Sequence, residues 1–476
     1  MDNKTTVGVP SYEKEELRRN LKSRHLEMIA IGGAIGTGLF YGSSWAIKQA
    51  GPAITIVYLL AAIAIYFIVR SLGEMAVEEP VSGSFVSYAN RYVGRFAGFL
   101  CGWNSLALIL STTAAEFNAL GSYIQFWFPS IPIWVTALVA TLMLMMINIT
   151  SVKYFGETEF WFSFIKVAAI IFLIIFGFAM ILFGFGVGGT PIGFSNLTAY
   201  GGFVPNGASG IFFALVIVAF AYGGIEDLGM AAGEVKDVKR SMRTAINCTF
   251  WRLLLFYVGA IFVLVTVFPW TDLAASKGSP FVALFSMVGV PAAASIMNLV
   301  VITAVLSAVN SYIFFHSRKL YNMALHHNAP AFLGKVNKHN VPQRAIFLVL
   351  FLMFCSTALN FFMPDDVFQL FSSISVCGLL CNWACITLSH LRFRKFRMRL
   401  GIADKISYKS PLYPFSDYLV LAFIALVICG IALMPQTRPS LLVAAIWAVL
   451  SYGAYKVITR KESVVATAEV TTSDKH

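Results

Sequence analysis

The chain has 476 residues, of which 58% are hydrophobic and 12% charged. Soluble domains carry about 25% charged residues, so this composition excludes a soluble globular protein and places the chain in the membrane class. The formal net charge of +12 does not imply a nucleic-acid partner, because the basic residues gather in alternate loops, the pattern that sets membrane orientation.

Residues 1–25 are polar and read as a cytoplasmic tail, and the first apolar stretch is a full-length span rather than a cleavable leader. Each helical crossing needs about 20 apolar residues. The sequence predicts an all-α membrane protein of about twelve spans, near 26–48, 52–77, 96–127, 132–150, 158–186, 208–233, 244–270, 281–323, 344–363, 366–391, 416–435 and 438–458. Spans 1–10 (26–391) form the expected core, 392–415 a basic cytoplasmic loop, 416–458 two accessory spans, and 459–476 a cytoplasmic tail. Basic clusters fall on one side: Arg18, Arg19 and Lys22; Lys239, Arg240 and Arg243; Arg318 and Lys319; Arg392, Arg394 and Arg397. Only Lys48, Lys277 and Arg438 face the other way. An even number of spans with both termini cytoplasmic fits that asymmetry.

Glycine-rich interruptions at membrane depth are tolerated around a cavity. Span 1 carries Ile31-Gly32-Gly33-Ala34-Ile35-Gly36-Thr37-Gly38, and span 6 carries Phe220-Ala221-Tyr222-Gly223-Gly224-Ile225-Glu226. Five spans separate their starts, the spacing of two inverted repeats, spans 1–5 and 6–10, and paired broken helices point to a transporter's binding site. The N–H groups around Gly36, Thr37 and Gly38 suit a carboxylate. Carbonyls near Ile31, Gly33, Ala221 and Tyr222 suit an ammonium, so the two sites together fit a free amino acid. The competing reading is close helix packing through small residues.

At these residues the chain resembles the amino acid–polyamine–organocation superfamily, in its bacterial and fungal amino acid transporter branch. The resemblance rests on Gly32 to Phe40, on Ala50-Gly51-Pro52 followed by Gly73-Glu74 and Pro80, on Gly83-Ser84-Phe85, Gly98-Phe99 and Gly102-Trp103, and on Gly233-Glu234, Asn310-Ser311 and Ser317-Arg318. It covers nearly the whole chain. It implies twelve spans, a five-plus-five inverted-repeat core, and amino acid uptake with protons at the inner membrane. The stretch from Phe220 to Glu226 is most similar to permeases for proline or histidine.

Ionisable groups inside spans are functional candidates by default. Lys166 lies roughly 12 Å along span 5, too deep to reach the interface. By resemblance it matches a lysine that takes the place of a sodium ion, and its ammonium can exchange a proton during the cycle. Glu116 and Glu226 are carboxylate candidates for proton transfer or selectivity, with structural pairing as the alternative. Glu74 and Glu234 read as gate ion pairs, Arg252 as a paired structural group, His316 as a packing residue with a relay as the alternative, and Phe220 as a lid or a packing ring. The chain departs from the family pattern at Asp227, which either favours a cationic or imidazole side chain or pairs with a base. It departs again at Tyr312, which replaces a glycine and narrows the pocket, and at Asn104-Ser105, which replace an aromatic stretch.

Seven cysteines show no interleaved histidine or carboxylate, so no metal and no cofactor are expected. The expected partners are an amino acid, protons and membrane lipid. No metalloprotease, nucleophile-elbow or phosphate-loop motif argues for an enzyme. An amino acid exchanger and a transporter-like nutrient sensor remain as alternatives to proton symport.

Overall fold

The computed structural model describes residue 28 and residues 35–473, apart from 82, 151, 232–237, 276–277, 288–291, 338–339 and 364–366. It is 82% helix and holds no strand among the described residues, as a bilayer demands of any chain that satisfies its backbone within single segments. In chain order the helices are α1 (Thr37–Phe40), α2 (Gly42–Ala50), α3 (Ile54–Glu78), α4 (Ser84–Tyr88), α5 (Arg95–Ile124), α6 (Ile133–Thr150) and α7 (Val152–Phe183). Then come α8 (Gly207–Ala221), α9 (Leu228–Ala231), α10 (Val238–Arg252), α11 (Ala260–Val267), α12 (Trp270–Ala275) and α13 (Pro280–Ser286). The chain ends with α14 (Ala293–Leu325), α15 (Gln343–Phe362), α16 (Val367–Arg399), α17 (Phe415–Leu433) and α18 (Arg438–Ser473).

Among the described residues, ten helical stretches are long and apolar enough to cross a membrane, with a shorter apolar helix at Ile133–Asn148. One of the ten, Gly42–Glu78, joins the end of predicted span 1 to span 2 through a 3-10 turn at Gly51–Ala53. Predicted span 8 is corrected. Residues 280–286 form the separate helix α13, and the crossing helix α14 starts at Ala293. The basic segment 392–399 continues α16 as helix, because its arginines reach partners on other helices.

α5 runs through the middle of the bundle against α14, α15 and α16, while α2 lies on α8 and α3 on α10, α16 and α17. The apolar stretch of α16 is 67% buried and that of α18 only 6%, which puts α18 at the lipid-facing rim. α10 passes into α11 through a π-helical turn at Leu253–Gly259, directly after the buried Arg252. Turns of that kind interrupt the regular ladder and recur near functional sites.

Candidate functional site

The first break is described from Ile35 onward, so Ile31, Gly33 and Ala34 lie outside the described residues, as do Gly233 and Glu234. Gly36 is extended (φ −132°, ψ −154°) and a helix begins at Thr37. Lys166, fully buried on α7, donates from Nζ to the Ile35 carbonyl at 3.1 Å. Glu116 of α5 accepts from the Thr37 amide through Oε2 at 3.4 Å. An internal carboxylate thus stands at an amide expected to meet a carboxylate. Gly38 is buried against α8, where an added Cβ would fall 2.4 Å from the Ala221 Cα. That glycine meets the demand of close packing, and it brings the two broken spans into contact.

The second break follows α8. Gly224 takes a left-handed conformation (φ +84°), which costs other residues steric energy, and Ile225–Asp227 form a single 3-10 turn before α9. Tyr222 lies buried, its hydroxyl donating to the Tyr58 carbonyl at 3.0 Å and its ring stacked on Tyr257 at 4.5 Å. The neighbouring Arg252 is also buried. Glu226 accepts from Trp383 Nε1 of α16 at 3.2 Å. Asp227 pairs with Lys319 of α14, Nζ to Oδ1 at 2.6 Å, with both side chains at most 4% exposed. Of the two sequence readings of Asp227, pairing with a base is the one present.

Glu226 and Asp227 line a cavity together with Phe220, Gly223, Gly224, Tyr312 and His316. Its free centre is small, about 20 Å³, room for about one water molecule. Tyr312 does narrow this space. His316, read from sequence as a packing residue, instead faces the cavity, 4% exposed, with no hydrogen-bond partner for Nδ1 among the described residues. Above the cavity the Phe220 ring meets Phe368 edge to face at 6.1 Å, and Phe368 meets Tyr41 at 4.8 Å. Tyr41 and Phe368 floor a vestibule of about 670 Å³ whose walls include Lys48, Asn118, Gln125 and Gln369.

The opposite end of the bundle is shut. Glu74 of α3 is fully buried and pairs with Arg394, which approaches within 2.8 Å. His390 bridges Glu74 at 3.2 Å and Asp417 of α17 at 2.9 Å. Twenty residues of α3 separate its vestibule end from Glu74, or about 30 Å of helix.

Sequence reasoning missed Lys319, Trp383 and Glu159. Glu159 is fully buried on α7 and accepts from Ser307 Oγ at 2.5 Å, beside the Asn148–Asn310 bond of 2.7 Å that ties α6 to α14. The available signal was a charge near the end of an apolar run, Glu159 just inside predicted span 5 and Lys319 near the end of predicted span 8, and Trp383 carried no signal of its own.

The family model for amino acid permeases matches residues 25–464. The chain is 43% identical over 459 residues to the Probable threonine/serine transporter YbxG of Bacillus subtilis (strain 168), covering 96% of this chain and 98% of that relative. It is 42% identical to the Amino-acid permease AapA of the same organism, over 94% of this chain and 96% of that one. It is 41% identical to the Aromatic amino acid transport protein AroP of Escherichia coli (strain K12), over 92% and 94% respectively. With the start of α1 packed on the end of α8, a small cavity at that end of α8 and a family match along nearly its whole length, this multi-pass membrane chain belongs to the amino acid permease family.

Proposed function

We infer that the chain imports an amino acid across the cytoplasmic membrane by proton symport with alternating access, with both termini in the cytoplasm. The observation that carries this reading is the bond from the buried Lys166 ammonium to the Ile35 carbonyl at the break of the first span. A cation that binds a broken helix is a natural coupling site, because losing its charge releases the carbonyl and loosens the break. Glu116 and Glu159 lie within electrostatic reach of Lys166 and can receive or return the proton. The substrate's α-carboxylate takes the amides at Gly36–Gly38, a position where the Glu116 carboxylate already sits on Thr37. Its ammonium takes carbonyls near Ile31 and Gly33 on one side and near Ala221 and Tyr222 on the other, with Ala34, Ile35 and the rest of Phe220 to Ile225 completing the substrate-binding set. By similarity in that second stretch, proline, histidine or another neutral or imidazole side chain is favoured.

The vestibule faces outward and the Glu74–Arg394 closure faces the cytoplasm, which makes the described conformation outward-facing with a closed lid. Uptake of labelled amino acids into proteoliposomes, with and without an inward proton gradient, tests the reading. Uptake that rises with the gradient supports symport. Uptake that ignores the gradient and requires amino acid preloaded inside identifies an exchanger instead.

A further inference from the structure

The cavity wall carries an unbalanced set of charges. Two carboxylates, Glu226 and Asp227, stand side by side, and Lys319 neutralises Asp227 at 2.6 Å. Glu226 is met by the neutral indole N–H of Trp383. It is 1% exposed, and Lys319, which lies within electrostatic reach of it, is shared with Asp227, so two buried carboxylates have one close cation between them, a costly arrangement unless something else supplies a second.

His316 adds a second acceptor. Its ring lies in the same wall, more than nine-tenths buried, with Nδ1 unpartnered among the described residues. Buried polar atoms of that kind call for a partner. In the tautomer that carries its proton on Nε2, Nδ1 accepts a hydrogen bond. A carboxylate and an imidazole nitrogen that both accept are complementary to a group that donates. The rings of Phe220 and Tyr312 in the same lining favour a cation over their faces.

Resting on the transport reading above, but against the proline and other neutral side chains that similarity favours, we propose that Glu226 and His316 read the substrate's side chain, and that this side chain bears a donating, protonatable nitrogen: imidazole, guanidinium or ammonium. Asp227, held by Lys319, positions the turn that carries Glu226 and does not itself contact substrate. The names of the relatives, which span threonine, serine and aromatic amino acids, do not select this class. The choice comes from the acceptors in the wall. Entry requires Phe220 and Tyr312 to swing aside, because the space between them is too small for any amino acid as it stands.

The test is uptake by the full chain in proteoliposomes, comparing labelled histidine, arginine and lysine with threonine, proline and phenylalanine. At least one of the basic three is expected to exceed each of the neutral three by roughly 10-fold or more in kcat/KM. His316→Leu is expected to lower that preference by roughly 10-fold, chiefly through KM, and His316→Gln, which keeps an acceptor, to restore most of it. Glu226→Gln is expected to shift selectivity toward neutral substrates. Uptake of neutral amino acids in preference to basic ones, unaltered by His316→Leu, overturns the assignment and leaves the transport reading standing. A chain that carries no amino acid of either set overturns both.

Discussion

At Gly38 the two halves of the site touch, and the contact is with backbone rather than with a side chain that can turn away. Gly38→Val is therefore expected to abolish uptake and to lower the yield of folded protein on size-exclusion chromatography, since overpacking there displaces α8 itself. Gly224→Ala is a milder case. Its surroundings leave space, with Tyr312 at 3.6 Å, so only the left-handed backbone opposes it, at about 1–2 kcal/mol. A partial loss of thermal stability, smaller than for Gly38→Val, is the expected outcome. Lys166, Glu116, Glu226 and Asp227 were legible in the sequence because a charge inside an apolar run is conspicuous. Their partners were not. Trp383 lies 157 residues from Glu226, and an apolar run without a clear polar stripe does not reveal which face of a helix looks at which neighbour. The place of His316 in the cavity lining was hidden for the same reason, since its sequence neighbours are apolar.

Between elements, ion pairs take the place of the hydrophobic drive, which is weak between helices in lipid. The Asp227–Lys319 pair ties the turn before α9 to α14 with both side chains buried. Removing one partner leaves a buried charge, so Lys319→Met alone is expected to cost about 3–5 kcal/mol. The double variant Asp227→Leu with Lys319→Met is expected to recover much of that loss, which a double-mutant cycle on thermal stability in detergent would measure. At the closed end, Arg394 holds the fully buried Glu74, whereas Arg397 meets Glu78 and Glu79 in a partly exposed rim. Arg394→Ala is expected to depress uptake far more than Arg397→Ala, whose pair is worth about 1 kcal/mol or less. The order of the crossing helices was readable from apolar length, whereas the expected count of about twelve compares with ten long apolar stretches and one shorter apolar helix among the described residues. The split of predicted span 8 was not readable, since Pro280–Ser286 and the start of α14 at Ala293 lie in one apolar run of the sequence.

For the whole molecule, alternating access requires that the vestibule and the closed end exchange roles. Ser122 and Gln369 line the vestibule, and in a background with the seven native cysteines replaced, Ser122→Cys is expected to react with a membrane-impermeant thiol reagent from outside. Substrate is expected to slow that reaction by moving the population inward. The central claim is that Lys166 couples the proton to the first break, and the most direct measurement is the ratio of uptake with and without an inward proton gradient, in the native chain and in Lys166→Ala, with folding of the variant confirmed by substrate-dependent thermal stabilisation. The native ratio is expected to be well above one, Lys166→Ala to bring it to one while substrate still binds, and Lys166→Arg, always charged, to fail to restore it. A Lys166→Ala chain that keeps the full gradient response would show that Lys166 is not the coupling group.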